Sequence, residues 1–167
     1  HRELADQLGL EADDGTGRWF AELSQLVDGI ALMRECTDRT RARVMAMGEL
    51  LATEIGARYL RKVGLDASWA DARQMLAAEH RRSATERASF LSATCGFAPD
   101  AALQQRLAAA TAVVVTQGFI ASDADGQTVL LGRGGSDTSA AYLAAKLQAS
   151  RLEIWTDVPG MFSANPR

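Results

Sequence analysis

The stretch GRGGSD, residues 132 to 137, sets an arginine and an aspartate around two glycines and a serine. Gly134 and Gly135 carry no Cβ, so their backbone can come close to a ligand, a phosphate included. Ser136 is placed to cap a helix whose first N–H groups point outward without partners, and such a helix start attracts anions. Arg133 adds a planar fork suited to a carboxylate or phosphate, while Asp137 in the first helical turn can accept hydrogen bonds from an ammonium group. A cation and an anion so placed suit a zwitterion better than a plain phosphate. The same residues would also make an ordinary glycine turn with a surface ion pair, so the motif alone does not decide.

The elements around the motif must position it. After it, Ser136 to Ala149 puts Ala140, Leu143, Ala144 and Leu147 on one helical face, and Leu152 to Trp155 reads as a short apolar strand ending at Thr156 and Asp157. Before it, Phe119–Ser122 and Thr128–Leu131 flank Asp123-Ala124-Asp125-Gly126, which predicts a β-hairpin. Ala112–Thr116 is β-branched and reads as a fully buried strand following a helix over Asp100–Ala110.

Further upstream lie two long amphipathic helices. Trp19, Phe20, Leu23, Leu26, Val27, Ile30 and Met33 mark one over about Gly17–Arg34, with Thr16 as its N-cap. Val44, Met47, Leu51, Ile55, Tyr59 and Leu60 mark the second over about Asp38–Val63, with Gly64 as its stop. Leu65–Asp71 suggests a short strand and Ala72–Ala78 a helical turn or two. His80–Thr94 is charged and poorly periodic, leaving a loop, a weak helix or a mobile cover open. Helices alternating with buried strands imply an α/β layer fold with a largely parallel sheet.

The 167 residues suit one domain, 1–167. With 18 Lys plus Arg against 21 Asp plus Glu, the net charge of -3 supplies no overall positive field for nucleic acid or an anionic membrane. Cys36 and Cys95 lack metal-ligand spacing, so neither a disulfide framework nor a metal site is expected. The longest apolar run, Leu107–Val115, falls far short of the ~20 residues that span a bilayer. A cytoplasmic protein is the expectation.

Residues 116 to 167, TQGFIASDADGQTVLLGRGGSDTSAAYLAAKLQASRLEIWTDVPGMFSANPR, resemble the centre of the aspartokinases, members of the amino acid kinase family. MGELLATEIGARYL (47 to 60) resembles the family's Gly-Glu-Leu helix, and Asp71-Ala72-Arg73 its Asp-Ala-Arg segment, so the likeness covers about residues 44 to 167. The resemblance implies an open three-layer α/β/α sandwich. It also implies transfer of the γ-phosphoryl group of MgATP to the side-chain carboxylate of L-aspartate, the first step towards lysine, threonine and methionine.

Position by position, Glu49 matches the glutamate that helps hold the substrate amino group and Arg133 the arginine that clamps its α-carboxylate. Ser136 and Asp137 match the polar pair beside the substrate, with Asp137 the catalytic candidate. WTDVPGMFSANPR resembles the nucleotide segment, in which Thr156, Asp157 and Val158 would meet the adenosine. There Phe162 replaces a tyrosine near the base, and Arg167 matches an arginine near the phosphates. Mg²⁺ would be held mainly through the nucleotide.

The chain departs from the pattern in several places. Nothing like the family's Lys-Phe-Gly-Gly strand precedes Gly48, and the family continues beyond the point matched by Arg167 into further kinase residues and effector-binding domains. The expectation is therefore an internal piece of a longer enzyme, without useful kinase activity alone. Exposed sheet edges invite pairing with another copy, which suggests a homo-oligomer. Val129 and Leu130 stand where threonines are usual, putting hydrogen bonds near the phosphates in doubt; Met47, Ala121 and Asn165 are smaller departures. Two alternatives stay open: an amino acid kinase for glutamate, acetylglutamate or a nucleotide monophosphate, and a non-catalytic scaffold that retains the motif.

Overall fold

The computed structural model describes residues 1–10, 15–80, 85–110 and 112–155. A short helix, α1 (Arg2–Gln7), leads into α2 (Thr16–Met33) and α3 (Asp38–Lys62). Gly15, not the expected Thr16, caps α2: it holds φ 99°, and Thr16 is buried as the first helical residue. The start of α3 is fixed by Thr37, whose side chain accepts the N–H of Thr40. Asp38 lies in its first turn and Arg61 and Lys62 in its last, each charge opposing the local end of the helix dipole. Gly64 then stops the helix at φ 90°, as its sequence position predicts.

The apolar stripe of α3 is the main source of burial. Met47, Leu50, Leu51 and Ile55 are almost fully enclosed, whereas Tyr59, expected on the same stripe, is 38% exposed while Ala57 and Arg58 beside it are buried. Trp19 of α2 packs with Ala42, Ala46, Met47, Leu50, Leu51, Ala72, Ile120 and Leu130 in one cluster. Truncating a residue such as Leu50 to alanine would cost about 2–5 kcal/mol.

Strand β1 (Ala67–Ala70) leads into a 3₁₀ turn, Ala72–Gln74, in place of a longer helix. Asp71 caps that turn and pairs in fork geometry with Arg73, whose other nitrogen donates to Thr128 Oγ1 at 3.0 Å. The charged segment contains a six-residue helix, α4 (Glu86–Leu91), capped by Thr85. Asp100 caps α5 (Ala101–Ala108) by accepting the N–H of Leu103 at 2.9 Å.

Strand β2 (Val113–Thr116) pairs with β1 in parallel, Ala67 opposite Val113 through Ala70 opposite Thr116. The expectation of full burial fails here. Val113 is 38% exposed and the other three residues are only partly covered, because among the described residues β2 has a strand neighbour on one side alone. The hairpin is as expected: β3 (Ile120–Ser122) pairs antiparallel with β4 (Thr128–Leu130). Its turn is held by Asp123 Oδ1, which accepts from the N–H groups of Asp125 and Gln127.

The last helix, α6 (Gly135–Leu147), buries Gly135, Ser139 and Tyr142. That face is turned from the predicted Ala140, Leu143, Ala144 and Leu147, which are only half-buried. The predicted strand Leu152–Trp155 is absent: these residues form no ladder, and Trp155 is 89% exposed. The class is α/β, with long helices packed along a parallel strand pair. No helix of the described residues is long and apolar enough to cross a membrane.

Candidate active site

Strand β2 ends at Thr116, and the chain turns through Gln117, Gly118 and Phe119 directly under the start of α6. The approach leaves no room for side chains. A Cβ on Gly118 would lie 2.9 Å from Ser136 Cα, and one on Gly135 would lie 2.7 Å from the Phe119 ring and 3.1 Å from Phe119 Cα. Phe119 itself holds φ 69°, a left-handed conformation that costs a non-glycine residue about 1–3 kcal/mol. Its N–H donates to Ser139 Oγ at 2.8 Å, and its carbonyl accepts from the Leu131 N–H at 2.8 Å, so both backbone groups are fixed. Ser139 Oγ in turn donates to the Gly135 carbonyl at 2.7 Å.

Glu49 comes from the middle of α3. Thr53, one turn on, donates its hydroxyl to the Glu49 carbonyl at 2.7 Å and receives the side-chain N–H groups of Gln117 (2.7 Å) and Trp69 (3.0 Å). The helix turn carrying Glu49 is thus tied to the residue that precedes Gly118. The Glu49 carboxyl is half-buried with no hydrogen-bond partner among the described residues, and burial pushes its pKa above the ordinary 4.5.

Residues 133–137 lie at the start of α6. Gly134 caps the helix in the left-handed region at φ 71°, so the cap is glycine and not Ser136, whose side chain is left exposed. Arg133, Gly134, Ser136 and Asp137 are all exposed, Gly135 is buried, and neither Arg133 nor Asp137 has an ion-pair partner among the described residues. The site is an open surface. A cavity of about 150 Å³ beside α4 and the hairpin turn and one of about 280 Å³ between β1, β2 and α5 take no lining residue from GRGGSD. Thr156, Asp157, Val158, Phe162 and Arg167 lie outside the described residues. Among those described, no group of three or more His, Cys, Asp or Glu is arranged to hold a metal ion.

Sequence reasoning missed Thr53, Gln117, Phe119 and Ser139. Thr53 could have been found from its i+4 spacing to Glu49, which places both on one helical face. Gln117 and Gly118 could have been found from a polar residue and a glycine ending an apolar strand. The unusual φ of Phe119 leaves no mark in its residue type. The doubt over Val129 and Leu130 has a structural answer: both are about 1% exposed and pack in the core.

The amino acid kinase family profile matches residues 2–167, and the chain belongs to that family. The relatives it matches are aspartokinases. Lysine-sensitive aspartokinase 3 of Escherichia coli (strain K12) is 36% identical over 158 residues, covering 87% of this chain and 32% of that protein. Bifunctional aspartokinase/homoserine dehydrogenase 2 of the same organism is 34% identical over 157 residues, covering 94% of this chain and 18% of that protein. Among solved structures, E. coli aspartokinase III in complex with aspartate and ADP (R-state) superposes with a TM-score of 0.73 at 36% identity, covering 90% of this chain and 32% of that one. The chain therefore has the amino acid kinase fold and spans about a third or less of the length of these relatives.

Proposed function

We propose that this chain carries the aspartate site of an aspartate kinase, forming 4-phospho-L-aspartate from L-aspartate and MgATP. The observation that carries the reading is the convergence of two segments on the Gln117–Phe119 loop: the α3 turn bearing Glu49, and the Gly134–Asp137 start of α6. Arg133 would clamp the α-carboxylate, Glu49 would take the ammonium group, and Ser136 and Asp137 would flank the reacting end. Arg133 and Asp137 are exposed and unpaired among the described residues, so neither must break an ion pair there to meet a substrate. A charge-assisted contact of this kind is shorter and stronger than a neutral one.

In the proposed reaction a side-chain carboxylate oxygen of aspartate attacks the γ-phosphorus and ADP leaves. The bare backbone at Gly134, where a Cβ would meet nothing, with the outward N–H groups of the first turn of α6, fits a phosphate, whereas Gly135 is packed against Phe119. From their resemblance to the family's nucleotide segment, Thr156, Asp157, Val158, Phe162 and Arg167 would hold ATP. Mg²⁺, bound through the nucleotide, would supply charge neutralisation at the phosphates. The solved relative with aspartate and ADP bound supports this pair of ligands.

Residues 1–167 are proposed as a single unit within the kinase domain, acting in lysine, threonine and methionine biosynthesis in the cytoplasm, with homo-oligomerisation as part of the proposal. A fusion with homoserine dehydrogenase, as in several matched relatives, or with diaminopimelate decarboxylase belongs to the proposal as well. Trapping the acyl phosphate with hydroxylamine tests the reading. The full-length protein should form aspartyl hydroxamate from L-aspartate and MgATP; formation from glutamate or acetylglutamate alone would overturn it.

A further inference from the structure

Gln117 is 1% exposed, the most enclosed polar side chain of the site region, and no step of the proposed reaction uses it. Its hydrogen bonds run in one direction only. The backbone N–H of Ala72 can only donate, so the Gln117 atom 2.8 Å from it must be the carbonyl oxygen, and the amide nitrogen then faces Thr53 Oγ1 at 2.7 Å. The Trp69 indole N–H, 3.0 Å from the same hydroxyl, is likewise an obligate donor. Thr53 thus accepts twice, and its one hydrogen is left for the Glu49 carbonyl at 2.7 Å. Every polar atom of the relay is used, and two obligate donors fix its polarity.

From this relay we infer that Gln117 is a positioning residue for amino acid binding: through Thr53 it holds the Glu49 turn of α3 at a set distance from the start of α6. The second half of the link is steric. Gly118, the next residue, packs so closely under Ser136 that a Cβ there would lie 2.9 Å from Ser136 Cα. One short segment therefore registers the ammonium acceptor against the carboxylate clamp. Gln117 touches no reacting atom and acts through Thr53 and Glu49. The inference rests on the proposed aspartate site and adds to it the device that spaces its two ends.

Gln117→Glu is the sharpest variant. One carboxylate oxygen can still accept from Ala72, but the other now needs a donor, and the Thr53 hydrogen must swing away from Glu49 to supply it. Thr53→Val removes the hydroxyl at nearly constant shape, and Thr53→Ser restores it. Steady-state kinetics of the full-length enzyme, with thermal melts to confirm folding, provide the test. Gln117→Glu and Thr53→Val should each raise KM for aspartate about tenfold, the scale of one buried hydrogen bond, with KM for ATP unchanged and Thr53→Ser close to wild type. If wild type turns over aspartate and both variants keep its KM, or if both KM values rise together, the positioning role is wrong while the aspartate site stands. A wild-type enzyme with no aspartate-dependent turnover removes both.

Discussion

Ser139 and Phe119, 20 residues apart, are locked together by a 2.8 Å hydrogen bond from the Phe119 N–H to the Ser139 hydroxyl, which passes its own hydrogen to Gly135 at 2.7 Å. This bond holds the loop after β2 against the first turn of α6 and keeps Phe119 in its left-handed conformation. Ser139→Ala leaves a half-buried N–H without its partner, and urea denaturation should show a loss of about 1 kcal/mol or more. Ser139→Thr, which keeps a hydroxyl, should recover part of that loss.

Gly118→Ala tests the close approach on the other side. Its Cβ meets backbone at Ser136, not the end of a flexible side chain, so α6 must move or the loop must open. Overpacking of this kind costs about 1–3 kcal/mol. The expected outcome is a lower melting temperature together with weaker aspartate binding; a fully active variant with an unchanged melting temperature would show that the approach is looser than described.

Glu49 gives a pH-dependent prediction. Burial raises its folded-state pKa above 4.5, so the native protein holds this proton more tightly than the unfolded chain does. Stability contributed by the protonated form is present at low pH and is lost as pH rises from the unfolded value through the raised one. Glu49→Gln removes that loss, so stability curves of wild type and variant should diverge in the variant's favour over this window and then run parallel. Aspartate binding works the other way: its ammonium group favours the carboxylate, so binding to wild type should tighten with pH across the same window. The variant should bind weakly throughout.

Cys95 and Cys36 should react very differently. Cys95 is buried, and burial first of all pushes its thiol up to about 11; Lys146 pulls it down and Glu79 adds to the rise. Cys36 is exposed. Iodoacetamide at pH 8 followed by peptide mapping should modify Cys36 and spare Cys95 until the protein is unfolded. Rapid labelling of Cys95 in the native state would contradict its place beside Leu76, Val129 and Tyr142.

The sequence announced what rests on local chemistry and missed what rests on neighbours. The stop of α3, the hairpin turn at Asp123–Gly126 and the start of α5 near Asp100 were legible because Gly64, Asp123 and Asp100 act on backbone within a few residues of themselves, whereas the Thr37 cap, equally local, went unread. Burial of β2 and the buried face of α6 were misread, since each depends on which element packs there. Glu49, Arg133, Ser136 and Asp137 were singled out through resemblance, and their roles are proposals. The braces behind them were not: Gln117 to Thr53 spans 64 residues and Phe119 to Ser139 spans 20, separations that no local pattern encodes.

In the proposed site GRGGSD and Glu49 together grip both charged ends of aspartate. Isothermal titration of L-aspartate into the full-length protein and its Arg133→Ala variant tests it most directly. Saturable binding to wild type, at least about tenfold weaker in a variant with an unchanged melting temperature, is the predicted result, the scale of a lost charge-assisted contact. Equal affinity in the two proteins, or tight acetylglutamate binding with none for aspartate, would show that Arg133 does not clamp aspartate.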